Sequence, residues 1–90
     1  GITAVRTDKN IFVTTQNLPN KTFYYVKIRD PFRNLDKFMR LGNLRTKKLG
    51  AIVRKYQIPA ALRNKPVLQV CIRDVKTDKE YCTLVYDPNR

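Results

Sequence analysis

The segments VLQVCIRD and EYCTLVYD, residues 67–74 and 80–87, constrain the fold more than any other part of the sequence. Both are rich in apolar and β-branched residues, and a short polar turn separates them, which predicts a β-hairpin. A register centred between residues 76 and 77 aligns opposite charges and also aligns the two cysteines. Its cross-strand pairs are Arg73 with Glu80, Asp74 with Lys79, and Cys71 with Cys82. Because opposite charges that face each other across a ladder are favourable, this register is predicted over its neighbours.

Two further strand-like segments lie near the N-terminus. NIFVTT, residues 10–15, and TFYYVKIR, residues 22–29, consist mainly of β-branched and aromatic residues. The intervening QNLPNK has the composition of a turn. These segments are therefore predicted to form a second hairpin.

The middle of the chain has helical periodicity. Asp30 before Pro31 is typical of a helix start, and a helix is predicted over residues 31–41, where Gly42-Asn43 interrupts it. A second helix is predicted over residues 44–57, until Ile58-Pro59 ends it. Its apolar stripe has the spacing i, i+3, i+4, i+7 and consists of Leu49, Ile52, Val53 and Tyr56.

The predicted order of elements is β-β-α-α-β-β in a single domain of 90 residues. This is an α+β fold in which an N-terminal and a C-terminal β-hairpin form an antiparallel sheet and two central helices pack on it. The short helix, the break at Gly42-Asn43, the second basic helix and the final hairpin resemble in outline a helix-turn-helix with a wing, so the fold could be winged-helix-like. The bare Gly1 and the ending YDPNR suggest a piece of a longer chain.

The charge of the chain is strongly positive and unevenly distributed. Nineteen lysines and arginines oppose seven acids, which gives a net charge of +12. No acid lies between Asp36 and Asp74, whereas ten basic residues do. Since a block of one sign within a folded element repels itself, a polyanion is its natural counterpart. A basic face kept for solubility is the alternative.

The predicted helix 44–57 carries the first candidate site. Lys47 and Arg54 share its polar side, and the small residues between them, at 50 and 51, would let the helix lie close to a phosphate backbone or in a major groove. Packing of Gly50 against the first helix is the alternative explanation of that glycine. We predict a nucleic-acid-binding domain, with duplex DNA favoured over RNA. The predicted binding residues are Arg45, Lys47, Lys48, Arg54, Lys55, Arg63 and Lys65.

One face of the strand 22–29 carries a competing site. Alternation places two rings and two cations on that face, namely Phe23, Tyr25, Lys27 and Arg29. Rings interleaved with cations are typical of a stacking platform for single-stranded nucleic acid. We favour the alternative that Phe23 and Tyr25 are core residues beneath the helices, because a small domain needs its aromatic residues for its core.

The cellular location depends on the two cysteines. Cys71 and Cys82 are cross-strand neighbours in the predicted register and therefore lie within bridging distance. A basic intracellular protein favours free thiols, and we predict an intracellular location, nuclear in a eukaryote. The alternative is an extracellular domain that has this disulfide, binds an acidic partner such as a sulfated glycan and carries a glycan at Asn20, in the sequon NKT. A module that binds an acidic protein subunit is a third hypothesis, in which the protein partner is unknown.

The composition disfavours several classes of function. The sequence has no histidine and no serine, so it cannot form a Ser-His or Cys-His pair. Two cysteines without histidine do not make a zinc site, and the dispersed acids do not make a two-metal site. The chain also has no glycine-rich phosphate loop. We therefore predict no enzymatic activity, no metal and no cofactor. No apolar run approaches the roughly 20 residues that span a bilayer, so no membrane partner is predicted.

Overall fold

Seven β-strands and a short 3-10 helix make up the computed structural model, which describes residues 1–33, 37–47 and 51–89. The strands are β1 (Ile2–Arg6), β2 (Asn10–Thr15), β3 (Phe23–Arg29), β4 (Met39–Arg45), β5 (Val53–Gln57), β6 (Val67–Asp74) and β7 (Glu80–Tyr86). The 3-10 helix, Ala60–Leu62, lies between β5 and β6.

The strands form two antiparallel sheets that pack face to face. The three-stranded sheet has the order β1-β2-β5, and the four-stranded sheet has the order β4-β3-β6-β7. The chain changes sheet after β2, after β4 and after β5, so neighbours in sequence are often not neighbours in a sheet. Packing of two antiparallel sheets on each other is a general plan that many proteins of unrelated function share.

The core lies between the two sheets and is built from alternate residues of each strand. Along β2, β3 and β6 every second side chain is almost wholly buried. The set consists of Ile11, Val13, Tyr24, Val26, Ile28, Leu68, Val70 and Ile72. Alternation of this kind is what a sheet needs when one face meets the core and the other meets solvent.

The α+β prediction is wrong, because the described part of the chain forms two sheets and contains no α-helix. The predicted strands 10–15 and 22–29 are present as β2 and β3, but they do not form a hairpin. β2 pairs with β1 and β5, and β3 pairs with β4 and β6. The segment QNLPNK therefore connects two sheets. Turn residues between two strands are compatible with a hairpin and with a connection between two sheets, since they specify a change of direction and not the pairing partner.

The predicted helix 31–41 is replaced by a turn and by β4. Asp30 Oδ1 accepts a hydrogen bond from the Phe32 N–H at 2.9 Å, as an N-cap would. The chain does not continue as a helix, however, because β4 begins at Met39 and pairs with β3. Residues 34–36 lie outside the described residues. An aspartate that caps one turn satisfies the same N–H groups whether or not a helix follows, so this signal was ambiguous.

The predicted helix 44–57 is replaced by the end of β4 and by β5, and the winged-helix-like form of the fold fails with it. Ile52 and Ile58 are buried and Tyr56 is half-buried, whereas Val53 is 56% exposed. Positions 52, 56 and 58 therefore follow the period of a strand. A short apolar pattern can fit the period of a helix and that of a strand. Val53 fitted the helical period by coincidence, since its side chain is exposed. Leu49 lies outside the described residues.

The C-terminal hairpin has the predicted register. β6 and β7 are antiparallel, with Cys71 opposite Cys82 and Arg73 opposite Glu80. The two cysteines form a disulfide, with their Cα atoms 4.1 Å apart. The prediction of free thiols is therefore wrong. The disulfide connects the central strand β6 to the edge strand β7 on the outer face of the four-stranded sheet.

Candidate functional site

The outer face of the four-stranded sheet combines aromatic rings with cations. Along β3, Tyr24, Val26 and Ile28 point into the core, and the residues between them point outward. The residues beside them on β4 and β6 follow from the strand register. We call this surface the aromatic-basic face. It consists of Phe23, Tyr25, Lys27, Arg29, Phe38, Arg40, Arg45 and Arg73.

Each ring of the aromatic-basic face lies against at least one cation. The distances from cation to ring centre are 5.1 Å for Arg45 and Phe23, 4.2 Å for Arg40 and Tyr25, and 4.3 Å for both Lys27 and Arg29 with Phe38. Stacking uses the flat side of a guanidinium group, so its N–H groups stay available to an anion. The rings therefore hold the arginines in place at the surface without neutralising them.

Acidic residues neutralise only one side of the aromatic-basic face. The ion pairs on the side of β7 are Lys27 with Glu80 at 2.9 Å and Arg73 with Asp78 at 2.8 Å. On β4, Arg40 donates a hydrogen bond to the Asn43 side chain at 2.5 Å. Neither Arg40 nor Arg45 forms an ion pair with a described residue. Within the described residues, the cations of this face that form no ion pair are Arg29, Arg40 and Arg45, and two of these three lie on the edge strand β4.

The charged surface continues past the end of β4 into a concavity of about 310 Å³. We call it the basic notch. It is lined by Lys21, Arg45, Thr46, Lys47 and Arg54. Arg54 comes from β5, the edge strand of the other sheet, so the notch lies where the edges of the two sheets meet. Arg45 belongs to both surfaces and connects them.

Thr46 holds together the two segments that carry the notch. Its buried hydroxyl donates to the Pro19 carbonyl at 2.5 Å and accepts from the Thr22 N–H at 3.0 Å. In the backbone, the Lys21 N–H donates to the Thr46 carbonyl at 3.1 Å, and the Thr46 N–H donates to the Thr22 carbonyl at 3.0 Å. These bonds fix the backbone of Lys21 beside that of Lys47.

Three of the residues predicted to bind nucleic acid meet in the basic notch. They are Arg45, Lys47 and Arg54. The sequence grouped Lys47 with Arg54 through a helix that does not form. They come together because β4 and β5 are edge strands of facing sheets, which is a tertiary relationship that no local spacing encodes.

The other four predicted binding residues do not join this group. Lys55 is exposed on the outer face of the three-stranded sheet, on the opposite side of β5 from Arg54. Arg63 and Lys65 follow the 3-10 helix at the far end of the sandwich, where Lys65 lies 3.9 Å from Asp30. Lys48 lies outside the described residues.

The predicted stacking platform is at the surface. Phe23 and Tyr25 are 51% and 43% exposed, whereas Tyr24 between them is 1% exposed. The interpretation of Phe23 and Tyr25 as core residues is therefore wrong, because aliphatic residues and Tyr24 fill the core and no helix covers this face in the described residues. Whether the rings bind a ligand stays a prediction.

Five residues of these surfaces were not among the site residues predicted from the sequence: Lys21, Phe38, Arg40, Thr46 and Arg73. The helical periodicity had assigned Phe38 to an apolar helix face. Phe38 lies directly before β4, whose own strand signal is weakened by an irregularity, since the register of β3 with β4 shifts between Val26 and Lys27. A bulge of this kind breaks the alternation by which strands are recognised.

Other groups with reactive side chains offer little chemistry. Cys71, Glu80 and Cys82 place potential ligand atoms within 4.8 Å of one another, but the two sulfurs are bonded to each other and offer no thiolate to a metal. Burial raises the pKa of Tyr24, which disfavours its phenolate. These groups do not suggest a reaction.

Comparison with known proteins gives no relative. No protein-family model matches the chain, and neither a curated protein nor a solved structure is significantly similar to it. Among the described residues no helix is long and apolar enough to cross a membrane. The function is therefore inferred from the chemistry of the surface.

Proposed function

We propose that this domain is a non-enzymatic binding module for an acidic polymer, which it holds along the aromatic-basic face and in the basic notch. The observation that carries the proposal is a pair of guanidinium groups on β4, Arg40 and Arg45. They form no ion pair with a described residue, and each is stacked on an exposed ring. A chain with repeated negative groups can contact both arginines at once. The sugar or base rings of such a polymer can in turn contact Phe23 and Tyr25.

A sulfated polysaccharide is the polymer that we favour. The Cys71–Cys82 disulfide lies on the aromatic-basic face, and structural disulfides persist mainly in secreted and cell-surface proteins. Asn20, the acceptor of the glycosylation sequon, is exposed, which is consistent with the same location. The proposal therefore includes an extracellular location in place of the intracellular one expected from the sequence.

Single-stranded nucleic acid is the second candidate, and one observation favours it. Phe23 and Tyr25 are exposed two residues apart on one strand, next to cations, as in a platform on which successive bases stack. Duplex binding through a helix over residues 44–57 is not retained, because residues 53–57 form β5.

Fluorescence anisotropy with a heparin-like sulfated polysaccharide, a single-stranded RNA and a duplex DNA tests the proposal. We expect the tightest binding to the sulfated polysaccharide, with log K falling linearly as log salt rises, because bound counterions are released. Tighter binding to the single strand at every salt concentration would favour the second candidate. Failure of all three polymers to bind at low salt would contradict the proposal.

Charge reversal on β4 tests whether the aromatic-basic face is the binding surface. Arg40→Glu with Arg45→Glu should weaken polysaccharide binding by on the order of tenfold or more, since each exposed ionic contact is worth about 0.2–1 kcal/mol and reversal adds repulsion. The matched control is Lys9→Glu with Lys55→Glu, which changes the net charge equally at exposed positions elsewhere. An equal loss in both variants would mean that net charge alone drives binding.

A further inference from the structure

The basic notch differs in its charge from other basic concavities of the molecule. One of these, formed near Arg29 and Lys65, contains Asp30, and another contains Asp8 and Asp87. The basic notch is lined by four cations and by Thr46, without a carboxylate among its described lining residues. Cations held together without a counter-charge repel one another, so an anion is the natural occupant of such a site.

The four cations reach the notch from three separate parts of the chain. Lys21 comes from the loop before β3 and Arg54 from β5. Arg45 is the last residue of β4, and Lys47 follows two residues later. None of them forms an ion pair with a described residue. The Arg45 guanidinium is held by its stack on Phe23, and the backbone of Lys21 is held by its hydrogen bond to Thr46. Donors that converge from several sides suit a compact anion better than a flat one.

We propose that the basic notch binds one tetrahedral oxyanion, a sulfate or phosphate monoester group. Its two arginines offer paired N–H donors and its two lysines offer mobile point charges. The volume of about 310 Å³ can admit the oxyanion together with part of the residue that bears it. This inference rests on the proposed function in one respect: the oxyanion is one group of the acidic polymer, whose next groups meet the aromatic-basic face through Arg45.

Titration with inorganic sulfate and with inorganic phosphate, followed by amide chemical shifts, tests the notch without the polymer. We expect saturable shifts at residues 21, 46 and 47 and little change at residue 55. The anion with the lower dissociation constant shows whether the notch is better suited to a sulfate ester or to a phosphate ester. Lys47→Ala with Arg54→Ala should weaken the binding of both anions by about three- to tenfold, as expected for two exposed ionic contacts.

The matched control for this variant is Lys9→Ala with Lys55→Ala, which removes the same charge outside the notch and should leave anion binding within about twofold of wild type. Thermal unfolding provides a second measurement. Removing two like charges from the notch should leave the Tm equal or raise it, since it relieves repulsion. If the notch variant binds the anions more weakly while its Tm is not lowered, Lys47 and Arg54 have a binding role and not a structural one.

The outcomes separate this inference from the proposed function. If the anions bind in the notch but the wild-type protein binds no acidic polymer, the notch is confirmed and the proposed function fails. The polymer could bind while the amide shifts rise linearly with anion concentration and are equal in wild type and in the notch variant. In that case the proposed anion site in the notch is overturned, and the aromatic-basic face alone accounts for polymer binding. A notch variant that loses both kinds of binding supports both proposals.

Discussion

The two outer faces of the sandwich have different characters although both consist of antiparallel strands. The outer face of the three-stranded sheet carries Thr3, Val5, Phe12, Thr14, Val53, Lys55 and Gln57. One of these described residues is a cation, whereas the aromatic-basic face has five: Lys27, Arg29, Arg40, Arg45 and Arg73. Positive charge that served solubility alone would be spread over both faces. Its segregation favours an acidic partner on one side of the molecule.

A smaller contrast within the aromatic-basic face gives the expected direction of the ligand. Near β7 the cations Lys27 and Arg73 are paired with acids, while Arg40 and Arg45 on β4 are not paired with any described residue. An acidic chain gains most where no carboxylate competes for the cation. It is therefore expected to run along β4 towards the basic notch.

The largest expected effect comes from comparing two adjacent tyrosines on opposite sides of β3. Tyr24→Ala should lower the free energy of unfolding by about 3–5 kcal/mol, because it removes a buried ring from the core. Tyr25→Ala should lower it by less than about 1 kcal/mol, since that ring is at the surface, and should instead weaken polymer binding. Urea denaturation followed by circular dichroism measures both.

Tyr24→Phe is the control for the core substitution. The Tyr24 hydroxyl is buried and has no hydrogen-bond partner among the described residues. Its removal should therefore be close to neutral or stabilising. If Tyr25→Ala proved as destabilising as Tyr24→Ala, the assignment of core and outer face along β3 would be wrong.

Reduction of the disulfide, which joins two strands of the four-stranded sheet, is expected to have the next largest effect. Cys71 and Cys82 are 11 residues apart, and a bridge that closes a loop of this size stabilises by about 2–3 kcal/mol through the unfolded chain. Urea denaturation with and without a reductant measures the loss. Thiol titration is the control: the unfolded protein should react only after reduction, and two thiols reacting before reduction would contradict the disulfide.

The parts of the fold that were predictable from sequence are those that local alternation determines. The register of β6 with β7 was predicted from opposite charges across a single turn and is confirmed, although Arg73 forms its ion pair with Asp78 and Glu80 with Lys27. The positions of β2 and β3 followed from their β-branched and aromatic residues. The full pairing of β2 and β3 was not predictable, because β2 also pairs with β5 and β3 also pairs with β6, and these strands are distant in sequence. β1 and β5, the two neighbours of β2, lie on either side of it in the chain.

The candidate site was predictable in its composition but not in its geometry. The acid-free segment identified Arg45, Lys47 and Arg54, yet the helix inferred for them had no counterpart in the fold. Residues 52–56 satisfy a helical period and a strand period almost equally, and pairing with β2 decides between them. Lys21 has no signal in the sequence, since its place in the notch depends on the hydrogen bonds of Thr46.

The smallest expected effect concerns Asp74, the last residue of β6, which precedes the loop to β7. The N–H groups of Lys76 and Thr77 donate to Asp74 Oδ1 at 2.8 and 3.3 Å. These bonds, that from Lys76 foremost, hold the pKa of Asp74 below its ordinary value. Because the pKa is lower in the folded state than in the unfolded state, the carboxylate stabilises the fold above the unfolded pKa. This contribution is lost as the pH falls through the folded-state pKa.

The loop should therefore keep its structure at neutral pH and loosen only in acid, below the ordinary aspartate pKa of about 4. The amide chemical shifts of Lys76 and Thr77, followed from about pH 7 down to about pH 2, measure this change. In Asp74→Asn the backbone amide shifts of Lys76 and Thr77 should show no such acid transition, because the asparagine side chain has no carboxylate to protonate. A midpoint at or above the ordinary aspartate value in the wild-type protein would show that the two hydrogen bonds do not hold the carboxylate. Polymer binding along β4 should be nearly the same in this variant, since Asp74 is on β6 and β3 lies between β6 and β4.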